Sequence, residues 1–163
     1  MTLPQIDITC AGIPKSSASK FRVSVEKAIA ASVETANLRF LPHAELSILL
    51  ADDKNISQLN HRWRKQEKPT NVLSFPGKEI EPGKEAGAVL GDIAISIEMA
   101  EREAQLENRS FEDHFSHLMV HGFLHLFGYD HMTDDDAETM ENLEREILAK
   151  LGIDDPYAER MAS

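Results

Sequence analysis

Hydrophobic positions recur along this chain with two periods, and the order of those periods predicts its elements. Leu3 to Thr9 reads as a first strand. After a Gly12-Ile13-Pro14 break, Phe21, Val25, Ile29 and Val33 are spaced for one apolar face of a helix from about Ala18 to Thr35. Ser16 to Ser19 offer hydroxyls to cap it. Glu45 to Ala51 predicts a strand, and Asp52 or Asp53 caps a second helix through Lys65, which Pro69 stops. Thr70 to Phe75 is short, rich in β-branched residues and closed by Pro76-Gly77, as a third strand would be. A charged loop from Lys78 to Gly87 leads into a further strand, Val89 to Ser96. Three helices follow, over about Ile97 to Glu107, Ser110 to Phe127 and Asp134 to Leu151.

Strands come early and helices late, which predicts an α+β fold: a small mixed β-sheet with helices packed mainly on one side. At 163 residues, 42% hydrophobic and 28% charged, the chain suits one core, and a single domain over 1–163 is expected. Neither a basic, apolar leader nor a stretch of roughly 20 apolar residues is visible, so a cytoplasmic protein without membrane contact is expected. The single cysteine, Cys10, has no disulfide partner and is read as a packed thiol. A net charge of −11 argues against non-specific attraction to nucleic acid. Basic residues nevertheless concentrate in the run from His61 to Lys68, leaving room for a basic lip on an acidic body.

The chemistry concentrates in His121-Gly122-Phe123-Leu124-His125-Leu126-Phe127-Gly128-Tyr129-Asp130-His131. Residues four apart on a helix stand one turn above another, so His121 and His125 can offer two imidazole nitrogens to one ion. Gly128 can take the left-handed conformation that ends a helix and lets the chain bring His131 back to the same ion. Three neutral nitrogens leave one tetrahedral position open, the arrangement of a catalytic zinc at a helix end followed by a Gly turn. The competing set His117, His121 and His125 fails on distance, because positions eight apart are separated by about 12 Å along a helix axis. His114 and His117 are therefore read as packing groups or as supports behind a ligand.

This string resembles the HGxLHLxGYDH signature of the YbeY family of bacterial rRNA maturation factors, which are metal-dependent endoribonucleases. Lys68 to Pro76 (KPTNVLSFP) resembles the family's second signature and Leu90 to Ser96 (LGDIAIS) its third, in the family's order; the likeness covers about residues 45–150. The resemblance implies a zinc-dependent, single-strand-specific endoribonuclease acting in 16S rRNA 3′-end maturation, late small-subunit assembly and ribosome quality control. It implies one Zn2+ on His121, His125 and His131, with another divalent transition metal as the alternative ion. The family's functional arginine, five residues before the Pro-Thr-Asn motif, falls on Arg64. The implied partners are ribosomal RNA and the small ribosomal subunit, with a ribosomal protein or a ribosome-assembly GTPase as further candidates.

A guanidinium at Arg64 can pair two phosphate oxygens; the plainer reading is a helix-end arginine that favours the helix dipole. Arg62, Lys65 and Lys68 could guide a phosphate backbone, and Trp63 is expected in the core. Asp92 either orients a ligand or sits in a strand-edge turn; Asp130 either holds a ligand histidine's other nitrogen or caps the turn. The ligand spacing is also that of the HExxHxxGxxH zincins, so a zinc metalloprotease is the alternative enzyme. Gly122 stands where such a protease carries its general-base glutamate. A non-catalytic assembly protein with structural zinc is the alternative from another class.

Overall fold

The computed structural model describes residues 3–64 and 70–158. The elements run β1 (Gln5–Ala11), α1 (Ser17–Ala36), β2 (Glu45–Ala51), α2 (Asp53–Arg64), β3 (Val72–Pro76), β4 (Val89–Ser96), α3 (Ile97–Leu106), α4 (Phe111–Leu126) and α5 (Asp134–Lys150). The expected β2 and β4 coincide with the observed strands. β1 begins later and runs further than Leu3 to Thr9, because its parallel partner β2 pairs it from Gln5↔Glu45 to Ala11↔Ala51. Ser16 stands at the start of α1, but its side chain makes no capping bond, unlike Ser96, Ser110 and Thr133 at the starts of α3, α4 and α5. The expected end of the second helix at Lys65 lies outside the described residues, as does the Lys68-Pro69 start of the second signature.

The sheet is mixed, in the order β1-β2-β4-β3, with β1, β2 and β4 parallel and β3 antiparallel to β4 at one edge. Alternation along the strands gives it two unequal faces. Ile8, Leu46, Ile48, Leu50, Ile93 and Ile95 point into the main core with Val25 and Ile29 of α1 and Phe115, Met119 and Phe123 of α4. α5 closes that layer, packed on α1 and α4. The other face carries only a small cluster, Ala51, Leu73 and Ala94 under Ile56 of α2. Helices therefore do pack mainly on one side. Cys10 is half-buried with a free thiol at the edge of the main core. No helix among the described residues is long and apolar enough to cross a membrane.

α4 is mostly buried, as a central helix must be, and sets an apolar face against the core beside a stripe of histidines, His114, His117, His121 and His125. It comes close to the sheet at Gly122. A Cβ there would lie 3.1 Å from Val72 Cγ2, Ser74 Oγ and Ile93 Cγ2, and Ser74 Oγ donates to the Gly122 carbonyl at 2.9 Å. The missing side chain thus seats α4 on β3, with His121 beside the contact.

Candidate metal centre

His121 and His125 stand on successive turns at the C-terminal end of α4. The helix ends in a Schellman motif: Gly128 N–H donates to His125 O at 3.1 Å and Tyr129 N–H to Leu124 O at 3.3 Å, with Gly128 at φ 94°. A side chain at Gly128 would collide with the Ile80 carbonyl, so space as well as φ requires glycine there. Beyond the turn, Asp130 Oδ1 accepts from Met132 N–H at 3.2 Å, which assigns Asp130 to the turn rather than to a ligand histidine. The result brings His121, His125 and His131 together, with one ring nitrogen from each lying within 4.8 Å of the others. His121 and His125 are half-buried and His131 is exposed, so the cluster opens to solvent on one side.

A buried polar chain behind α4 sets the imidazole tautomers. Arg109 Nη1 lies 3.1 Å from His114 Nδ1 and 3.4 Å from His117 Nδ1. Arginine only donates, so both Nδ1 atoms accept and both protons sit on Nε2. Those protons point at carboxylates: His114 Nε2–H at Glu103 (2.9 Å) and His117 Nε2–H at Glu144 Oε1 (2.6 Å). Glu144 is 1% exposed and also accepts from the Tyr157 hydroxyl at 2.9 Å. Its other oxygen lies 3.3 Å from His121 Nδ1. A carboxylate accepts only, so His121 carries its proton on Nδ1 and presents a bare Nε2 to the cluster. Burial pushes the Glu144 carboxyl up, but the hydrogen bonds from His117 and His121 outweigh it and hold the group down at about 2. Burial, then Coulombic repulsion from His121 and His131 whenever those rings are protonated, push His125 down to about 4, so it is neutral at pH 7.

The donor chemistry fits a metal ion. His121 Nε2 and His125 Nε2 face each other at 3.0 Å, close to the spacing of about 3.3 Å between neighbouring nitrogens at a tetrahedral zinc with bonds near 2.0–2.1 Å. With His121 Nε2 bare, a second ring nitrogen at this distance needs a cation or a proton between the two. The carboxylate behind His121 is the usual support of a metal-bound imidazole. His114 and His117 belong to that support and do not reach the cluster, in line with the distance argument. Glu144, which holds His117 and His121 behind the cluster, is not found from the sequence, although a signal exists. It shares one stripe of α5 with Met140, Ile147 and Leu148, and an acid at a core position requires partners.

Arg64, at the end of α2, donates from Nη2 to the Ser74 carbonyl at 3.1 Å, and its guanidinium lies 5.6 Å from the Phe75 ring centre. This places it on the rim of an open cleft of about 800 Å3 whose wall includes His121, His125 and His131. Trp63 is a correction. It is 63% exposed rather than core, because α2 lies on the thinly covered face, where Phe75 meets its ring. Asp92 projects from the same face, away from the histidines, and so orients none of them.

The family model described as Endoribonuclease YbeY matches residues 12–152, reaching further toward the N-terminus than the three signatures. Curated relatives named Endoribonuclease YbeY include one from Agrobacterium fabrum, 59% identical over 114 residues (70% of this chain, 68% of the relative). Another, from Bradyrhizobium diazoefficiens, is 53% identical over 139 residues (83% of this chain, 75% of the relative). The solution structure of a Thermotoga maritima protein superposes with a TM-score of 0.56 at 25% identity, covering 89% of this chain and 91% of that one. With the family model spanning most of the chain and relatives this similar, the chain belongs to the YbeY family of endoribonucleases.

Proposed function

We propose that this chain is a single-domain, zinc-dependent endoribonuclease that cleaves single-stranded RNA, with the 3′ end of 16S rRNA in the maturing small ribosomal subunit as its substrate. The main support is one cleft lined by both Arg64 and the three histidines. His121, His125 and His131 hold one ion at the Gly128 turn, in the manner of zincin ligands. Zinc suits the donor set, as do other divalent transition metals. When bound, the ion supplies Lewis acidity toward a phosphoryl oxygen or a water.

The chain's own groups have separate tasks. Glu144 fixes the His121 ring with its bare nitrogen forward, and His125 stays neutral and available as a ligand. Among the described residues Arg64 uses one N–H, on Ser74, and other donors of the fork can serve phosphate oxygens as negative charge builds during attack. The peptidase alternative loses ground at Gly122. A Cβ there would already meet Val72, Ser74 and Ile93 at 3.1 Å, so the glutamate that such an enzyme uses as its base would have to displace these side chains.

A gel assay of wild type against a single-stranded RNA spanning the immature 3′ end of 16S rRNA tests the proposal, with bound zinc measured and His121→Ala alongside. Cleavage by wild type, lost with zinc in the variant, is the expected result. Zinc-replete wild type without cleavage would shift the reading to a non-catalytic assembly protein with structural zinc.

A further inference from the structure

Besides the cleft holding the histidines, a second cavity lies within reach of a passing RNA strand. It measures about 290 Å3 and sits on the opposite face of the sheet, beneath the C-terminal end of α2. α2 packs over this face around Ala51, Leu73 and Ala94, and among the described residues a cavity remains beside that cluster. There Asp92 of β4 is flanked in register by Ser47 of β2 and Phe75 of β3. Leu59 and Trp63 of α2 overhang it, and Thr9 of β1 completes the wall. The volume is near the lower limit of small-ligand pockets, about 300 Å3, so it suits one ring system rather than a peptide segment.

We infer that this cavity binds one unpaired nucleobase of an RNA strand whose backbone passes Arg64. The inference rests on the endoribonuclease reading above. Trp63 is exposed, and its ring centre stands 6.2 Å from that of Phe75 at 56°, so the two aromatics form an open corner on which a base can stack. Phe75 also connects the two cavities, because the Arg64 guanidinium lies over its ring while Arg64 lines the histidine cleft. Charge selects the same occupant. In a chain of net charge −11, the last turn of α2 carries His61, Arg62 and Arg64, all exposed, so a polyanion approaches most favourably along this rim.

The polar floor argues against an apolar peptide. The Asp92 carboxylate makes no hydrogen bond or ion pair among the described residues, and covering it with an apolar group would bury a charge without a partner. A base edge supplies what it lacks. Guanine presents an N–H beside an amino group, which together satisfy both carboxylate oxygens, whereas uracil offers a single N–H. The site therefore prefers guanine.

Trp63 is the chain's only tryptophan, so its emission reports this cavity directly. Zinc-free full-length protein is titrated with 2′-O-methyl UUGUU and UUUUU, with emission and the anisotropy of dye-labelled RNA followed together. UUGUU should quench Trp63 and bind about tenfold more tightly than UUUUU, the scale of one added hydrogen bond, a preference that Asp92→Asn should reduce. Trp63→Ala should weaken UUGUU binding about 5- to 150-fold, as loss of a base stack does, and Trp63→Phe should restore most of it. Circular dichroism of each variant separates lost binding from lost folding. Unchanged emission at saturating RNA, or equal affinity in folded Trp63→Ala, would overturn the inference. Quenching by a leucine-rich peptide but not by RNA would do so too, marking a protein-docking face. If zinc-loaded wild type still cleaves RNA in those cases, only the base site falls; if it neither binds nor cleaves RNA, the endoribonuclease reading falls with it.

Discussion

On the α4 face of the sheet, the groups behind the histidines are bonded in series, from Glu103 through His114, Arg109, His117 and Glu144 to His121. On the α2 face, Trp63 and Asp92 stand in solvent, and among the described residues Arg64 is tied by one hydrogen bond, to a backbone carbonyl. The difference suits the two ligands proposed above, a metal ion and an RNA strand, which differ in how much displacement they tolerate. A metal ion tolerates little movement of its donors, so ring orientation is set by a carboxylate that itself accepts from His117, His121 and Tyr157. A flexible RNA strand can adjust to groups standing free on a rim. Substitutions on the two faces should therefore separate metal binding from substrate handling.

The largest separation is expected at Arg64. Arg64→Ala should lower RNA cleavage about 100-fold, the usual scale for losing a donor to developing negative charge, while zinc content and melting temperature stay at wild-type values. Gel kinetics beside zinc quantification checks this, and a parallel loss of zinc would erase the proposed division. Glu144→Gln should act in the opposite sense. Zinc affinity, read by competition with a chelating dye, should fall about 10- to 100-fold, because the amide cannot accept from His117, Tyr157 and His121 as the carboxylate does. The smallest effect belongs to the contact between α4 and β3. Gly122→Ala forces a Cβ within 3.1 Å of three side-chain atoms and should cost about 1–3 kcal/mol by chemical denaturation. A neutral result there would mean that β3 yields easily and does not seat the helix.

Much of the histidine cluster is legible in the chain because it is local. His121, His125, Gly128 and His131 lie within one helix end and its turn, so helix geometry brings them together without help from distant segments. The bounds of β2 and β4 are equally readable from their apolar runs between turn signals. What is not legible depends on contacts distant in sequence. Glu144 meets His121 only because α5 packs on α4, and the length of β1 is set by its pairing with β2 rather than by the Gly12 break. Trp63 departs from expectation for the same reason: whether an aromatic on α2 is covered depends on how much of the sheet lies under the helix, which its own periodicity does not report.

Everything proposed for catalysis requires that His121, His125 and His131 hold one ion at the end of α4. X-ray absorption at the zinc edge of the zinc-loaded full-length protein, with zinc per chain measured on the same sample, reads that coordination without reference to activity. One zinc per chain is expected, with three imidazole nitrogens at about 2.0–2.1 Å and a fourth ligand of oxygen or nitrogen, and with that signal lost in His131→Ala. Sulfur in the coordination sphere, or an unchanged spectrum at full stoichiometry in His131→Ala, would contradict the assignment.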